Sequence, residues 1–162
     1  MRYNMQQNFF SLTDSFDIRD EHDEIAFRVR GAFFSLRKTL SFQDSSDTEI
    51  ASITELIFAF RSTYRIQRNG KHFADMSKNL FNFFHDGFTI ETQDNSPDMQ
   101  VDGNIWDLDY SISRGGKRLA TVSKALVAVR DTYTVDIAPH EDPIDILPCV
   151  VVIDILCHNG KS

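Results

Sequence analysis

Between Arg61 and Lys78 the chain carries Arg61, Arg65, Arg68, Lys71 and Lys78 against a single acid, Asp75. A second basic stretch holds Arg114, Lys117, Arg118 and Lys124. Cations gathered at this density are the groups that meet phosphate. Each one close to an anionic membrane surface contributes about 1 kcal/mol, and the contribution fades with salt. Both stretches fold back at a glycine-containing dipeptide, Asn69-Gly70 and Gly115-Gly116, so each is a hairpin with cations about its tip. Arg65, Arg68, Lys71, Arg114, Lys117 and Arg118 are therefore the candidate ligand-binding residues, suited to an anionic lipid headgroup or a phosphorylated ligand. The competing account is two ordinary solvated strand faces. Charge is also lopsided along the chain, because from Asp131 to Cys157 it is all acidic.

Catalysis has no comparable case. Ser77-Lys78 and Ser123-Lys124 have the residue types of a Ser–Lys dyad, but neighbours on a strand point to opposite faces. No nucleophile stands beside a base and no glycine-rich phosphate loop is present, so neither a catalytic residue nor a cofactor is assigned. The five histidines, His22, His72, His85, His140 and His158, lie far apart without a metal-ligand spacing, so no metal is assigned. Asp107 and Asp109 are neighbours on the wet face of one strand. His140-Glu141-Asp142 reads as a loop running into a helix cap. Asp154 is different, because it interrupts an apolar run. A lone buried carboxylate finds a partner or stays protonated; an arginine reaching inward is the expected partner, and a functional proton or ligand site is the alternative.

The elements that must hold these residues are set by a repeat. Tyr64-Arg-Ile-Gln-Arg-Asn-Gly-Lys to Leu80 returns, in register, as Tyr110-Ser-Ile-Ser-Arg-Gly-Gly-Lys to Leu126. Phe9-Phe10-Ser11-Leu12 returns as Phe33-Phe34-Ser35-Leu36. Asp14-Ser-Phe-Asp-Ile18 returns as Asp86-Gly-Phe-Thr-Ile90 and as Asp131-Thr-Tyr-Thr-Val135. Apolar and polar residues alternate almost throughout, most clearly from Ile105 to Ser113, with Trp106, Leu108, Tyr110 and Ile112 on one side. One wet face and one buried face imply antiparallel sheet. Asn69-Gly70, Asp102-Gly103 and Gly115-Gly116 supply the positive φ of two-residue hairpins. Polar clusters at Glu21–Glu24 and Asp44–Asp47 mark two more reversals. The count is about a dozen strands. Only the segment after Asp142-Pro143 breaks the pattern: a carboxylate cap and a first-turn proline lead into Ile144 to Cys157, apolar almost all round. A helix without a polar face must be enclosed by protein. The architecture expected is a closed antiparallel barrel of about twelve strands around that helix, which also removes the sheet edges.

Length and composition agree. At 162 residues the chain suits one domain, residues 1–162, and 14 Phe furnish a core. A net charge of −7 opposes a general role on nucleic acid. Cys149 and Cys157 would stand about 12 Å apart along a helix, too far for a disulfide, which suits reduced thiols in the cytoplasm. The polar first eight residues have no signal core. The apolar run falls short of the roughly 20 residues of a transmembrane helix. A cytoplasmic protein, peripheral at the membrane if the hairpins meet lipid, is the expectation.

Several of these segments together resemble one family. The hairpin order, the Phe-Phe-Ser-Leu corners, Trp106-Asp-Leu-Asp-Tyr110, the Gly-Lys…Ala…Val-Ser-Lys124 unit and Asp131-Thr-Tyr-Thr-Val-Asp-Ile137 resemble the LURP-one-related proteins. So does Asp142-Pro143 followed by an apolar run with Ile153-Asp154. The resemblance spans essentially the whole chain. It implies the fold of the tubby C-terminal domain and the phospholipid scramblases: a twelve-stranded barrel around a central C-terminal helix. Pro148 departs from the expected helix, since a proline there removes a donor and kinks the first turns. Tubby domains bind membrane phosphoinositides, but none of their binding motifs matches here. The function expected is that of a non-enzymatic binding or adaptor module for anionic phospholipid headgroups. The alternative is a protein-interaction module without lipid. An enzyme or small-molecule carrier would need a cavity where the helix belongs.

Overall fold

Residues 1–6, 15–34, 37–58, 61–77, 88–93, 95–124 and 132–158 are described in a computed structural model. The alternating segments form β1 (Arg2–Gln6), β2 (Phe16–Asp20), β3 (Ile25–Phe34), β4 (Arg37–Gln43), β5 (Glu49–Phe58) and β6 (Arg61–Arg68). They continue as β7 (Lys71–Ser77), β8 (Phe88–Ile90), β9 (Met99–Asn104), β10 (Asp109–Arg114), β11 (Lys117–Lys124) and β12 (Thr132–Ile137), before helix α1 (Pro143–His158). All twelve strands join one antiparallel sheet in the order β7-β6-β5-β4-β3-β2-β1-β12-β11-β10-β9-β8. Its two ends meet at a bridge between Ala74 and Thr92, beside which the Gln93 N–H donates to the Phe73 carbonyl at 2.7 Å. The barrel is thereby nearly closed.

The helix fills it. Asp142 caps α1 by accepting the Ile144 N–H at 3.0 Å, and Pro143 opens the first turn as expected. Every residue from Ile146 to Cys157 is buried, and the helix runs on through Pro148. Around it stand inward side chains of every quarter of the wall, among them Ile18, Leu40, Ile53, Ile66, Ile112 and Val135, each with no exposed surface. Both cysteines are free and buried, and burial, aided by nearby Asp145 and Asp154, pushes each thiol up to about 12.

The two matching sequence segments form two matching hairpins. Hairpins β6–β7 and β10–β11 turn at Asn69-Gly70 and Gly115-Gly116, with positive φ at all four residues. Tyr64 pairs with Met76 and Ile66 with Ala74; Tyr110 pairs with Val122 and Ile112 with Ala120. Each hairpin then slips register directly after its isoleucine, at Ile66/Gln67 and Ile112/Ser113. The three shorter echoes enter β2, β8 and β12, where Ile18, Ile90 and Val135 reach the core. The Phe9–Leu12 corner lies outside the described residues, as do Ser35 and Leu36 of its copy. The two polar reversals are also there: the Asp20 carboxylate accepts the N–H groups of His22 and Glu24, and Asp44 accepts those of Ser46 and Thr48.

One stretch corrects the sequence reading. Ile105 to Leu108 is a turn, and the strand begins only at Asp109. Asn104 holds that turn by donating to the Asp107 carboxylate at 2.7 Å and accepting the Asp107 N–H at 3.1 Å. Leu108 takes φ 54° and turns into the core, whereas Trp106 is 53 % exposed instead of pointing inward. Asp102-Gly103 is accordingly not a hairpin tip but part of β9. Gly103 pairs with Tyr110 at φ 120°, and a Cβ there would stand 2.6 Å from the Asp109 carbonyl oxygen. This glycine has the sequence context of a turn residue, but its role is to let the neighbouring strand approach.

Two outcomes test this architecture. Ending the chain after Pro139 removes α1 and strands the inner face. Each large side chain left unburied forfeits about 1.5–3 kcal/mol against a typical domain stability of about 5–15 kcal/mol, so the expected product is insoluble or shows no cooperative melt. A soluble, cooperatively melting product would contradict the plug. In urea, Gly103→Ala should lose clearly more stability than Gly70→Ala. The latter meets open space and carries only the roughly 1–2 kcal/mol of a positive φ.

Candidate functional site

The register sorts the six candidate cations into two groups. Tyr64 and Ile66 face the core, so Arg65 between them faces out. It does not stand free: Nε and Nη2 each donate to Asp75 at 2.9 Å, and His72 lies 2.9 Å from the same carboxylate. Lys117 pairs with Glu141 at 2.9 Å. Lys71 and Arg118, close to the two glycine turns, are exposed and have no ion-pair partner among the described residues. Lys124, the next cation along, approaches Asp107 at 3.7 Å.

Arg68 and Arg114 point the other way. They occupy the same place in the two repeats and pair across to Ala51 and Met99, both buried, so their side chains enter the mouth of the barrel where α1 begins. Arg68 forms an ion pair with Asp145 of the first helical turn and lies 5.3 Å over the Phe73 ring. The Arg114 Nε and Nη2 are buried, without a hydrogen-bond partner among the described residues, and its charge also acts on Asp145. Burial raises the Asp145 carboxyl above its ordinary range, opposed first by the Arg68 hydrogen bond and charge and more weakly by Arg114. Arg68 thus meets a helix carboxylate at Asp145, not at Asp154, the residue for which the sequence suggested an inward arginine. Asp154 sits deeper, where its charge acts on Tyr110, Tyr133 and Cys157.

This arrangement joins two features that look unrelated in sequence. The acidic run from Asp131 onward and the basic hairpins are partners: Glu141 takes Lys117, and Asp145 takes Arg68 with Arg114 beside it. Two signals were legible for this. Arg68 and Arg114 share the phase of Tyr64/Ile66 and Tyr110/Ile112, and Asp145 stands in a first helical turn where little else is polar. Among the described residues no group of three or more His, Cys, Asp or Glu is placed to hold a metal ion. No described helix is long and apolar enough to cross a membrane.

The family model for the LURP-one-related proteins matches residues 1–154. The uncharacterized protein YxjI of Bacillus subtilis is 29% identical over 158 residues, which is 98% of this chain and 94% of that one. An X-ray structure of an Arabidopsis thaliana protein superposes with a TM-score of 0.63 at 16% identity, covering 94% of this chain and 90% of the other. At that identity the likeness speaks for the fold.

The Arg65–Asp75–His72 cluster gives a pH signature. Burial raises the Asp75 carboxyl, but the Arg65 and His72 hydrogen bonds outweigh it, and the net shift is below the ordinary 3.8. A carboxylate lowered on folding contributes stability above its unfolded value, and that stability is lost as pH falls through the folded one. Asp75→Asn should thus lower the Tm near neutral pH, with the gap to the unmodified protein closing below about pH 4. A gap that persists unchanged in acid would assign the effect to packing instead.

Proposed function

The chain belongs to the LURP-one-related family, and we propose that it works as a non-enzymatic binding module whose two repeated hairpins recognise an anionic headgroup. One observation carries the reading: the repeat sets Lys71 and Arg118 beside equivalent tips, both exposed and without an ion-pair partner among the described residues. The tips lie at the mouth where the helix begins, because β6–β7 and β10–β11 turn at the same end as the β12–α1 connection. A filled interior supports the non-enzymatic part, since substrate sites are concave and the described core positions are closed to solvent. On this reading the protein is cytoplasmic and meets the membrane only peripherally.

A second reading, a protein-interaction module without lipid binding, has its own support. Arg65, Arg68 and Lys117 are already engaged by carboxylates, Arg114 turns inward beside Asp145, and a net charge of −7 repels an anionic bilayer. Sedimentation with phosphatidylserine and phosphoinositide vesicles separates the two. On the headgroup reading, the protein binds at low salt and loses binding toward physiological salt, as the screening length falls from about 30 to about 8 Å. The double substitution Lys71→Glu, Arg118→Glu should abolish binding and leave the Tm nearly unchanged, because neither side chain holds an ion pair among the described residues. No binding at low salt to any of these vesicles would remove the lipid reading and leave the protein partner.

A further inference from the structure

Two exposed carboxylates stand between the basic tips, and the closure of the barrel puts them there. Because β7 and β8 meet at the Ala74–Thr92 bridge, the β6–β7 tip is followed around the mouth by the β8–β9 connection and then by the β10–β11 tip. At one end of that connection Gln93 lies against Phe73, two residues from Lys71. At its other end Asp98 precedes Met99, which pairs with Arg114 beside the Gly115-Gly116 turn. The connection, Glu91-Thr-Gln-Asp-Asn-Ser-Pro-Asp98, has three acids and no base.

Hydrogen bonds within the connection fix its path. The Thr92 N–H donates to Asp98 Oδ1 at 3.0 Å, and the Thr92 hydroxyl donates to the Ser96 carbonyl at 2.5 Å. Asn95 turns the chain at φ 66°. Glu91 and Asp98 are exposed and hold no ion pair among the described residues. Lys71 and Arg118 stand in the same condition. This stretch of the rim therefore alternates cation, acids, cation.

Spacing decides what such a rim attracts. Four strand spacings, about 19 Å along the wall, separate β7 from β11, and the acids lie within that span. At low salt the screening length is about 30 Å, so a flat anionic surface meets the sum of these four charges, and they cancel. A headgroup that gathers several phosphate charges at one point differs, because it approaches one tip closely and the acids only at a distance. Given the headgroup reading, on which this rests, we propose that Glu91 and Asp98 are specificity determinants of the face. They reject a diffuse anionic surface and admit a headgroup of concentrated phosphate charge.

The double variant Glu91→Gln, Asp98→Asn tests it by sedimentation at ~10 mM salt. The vesicles carry equal total charge, as phosphatidylserine or as a phosphoinositide bearing several phosphates. An asparagine oxygen still accepts the Thr92 N–H, and Glu91→Gln alone, which breaks no described hydrogen bond, repeats the test with a smaller charge change. The unmodified protein should prefer the phosphoinositide. The double variant should gain about tenfold on phosphatidylserine and clearly less on phosphoinositide, so that the preference narrows. Equal gains on both lipids, or no gain on phosphatidylserine, overturn the proposal and leave the headgroup reading in place. So does an unmodified protein that binds both vesicles equally. If neither protein binds either vesicle, the headgroup reading falls and the proposal falls with it.

Discussion

A sixteen-residue helix with no polar side has one stable place in water, and that is inside something else. Much of this structure answers that constraint. A flat sheet can cover one face of such a helix. Only a sheet curled through nearly a full turn covers all of them, and a sheet so curled also satisfies its own edges. The strand count, the near-closure at Ala74 and Thr92, and the register slips after Ile66 and Ile112 are ways of bending a sheet around a cylinder. Apolar packing by itself, however, can be re-formed in more than one register, so it leaves an apolar cylinder some freedom within an apolar sleeve. What removes that freedom is polar. Asp145 is the clearest fixture, since a carboxylate carried into the mouth of the barrel must meet Arg68 and stay there.

That requirement changes what the basic hairpins are for. A cluster of cations along a sequence invites an external anion, and the density around Asn69-Gly70 and Gly115-Gly116 is high. Yet the chain supplies its own anions. Glu141 and Asp145 bracket the start of α1 and draw in Lys117 and Arg68, while Asp75 occupies Arg65. The exposed remainder, without an ion pair among the described residues, is Lys71 and Arg118. Local charge density overstates a binding surface whenever counter-ions distant in sequence return to it in the fold. Here they return from some 24 to 77 residues away.

How far the fold is legible in the sequence comes down to the same physics. Period-two alternation, glycine dipeptides at positive φ, and a capped apolar run are local signals, and they locate the hairpins and the plug without reference to anything distant. The error arises where a local signal has two meanings. Trp106, Leu108, Tyr110 and Ile112 keep strand phase, but the Asn104 side chain closes a turn over the first of them, and Leu108 reaches the core through a left-handed backbone instead of a strand. Gly103 misleads for the complementary reason. A glycine that relieves crowding from the next strand looks, in sequence, like a glycine that makes a turn. The candidate site is less legible, because which cations stay free depends on pairings between residues far apart in sequence. The inward direction of Arg68 and Arg114 is nevertheless available from phase alone.

The two matching hairpins, β6–β7 and β10–β11, cannot be equivalent in the fold. Both hairpins have a tyrosine and an arginine facing the interior, but there is one helix, and a single helix offers different groups to each side. Tyr64 finds a carboxylate on the adjacent strand, with Glu55 at 3.5 Å, and burial with that neighbour pushes its phenol up to about 12. Tyr110, its counterpart, has Asp154 of the helix as its neighbouring charge. Arg68 takes the Asp145 carboxylate directly, while Arg114 acts on it without a hydrogen bond from its Nε or Nη2. Symmetry in the wall is thus broken from the centre outward. Outside, the break has a visible result: His72 serves the Asp75 cluster, whereas the corresponding residue of the other hairpin, Arg118, is exposed to solvent. The asymmetric helix inside and the unequal hairpin tips outside belong to one arrangement, and any ligand reading these tips meets two different surfaces built from one repeated unit.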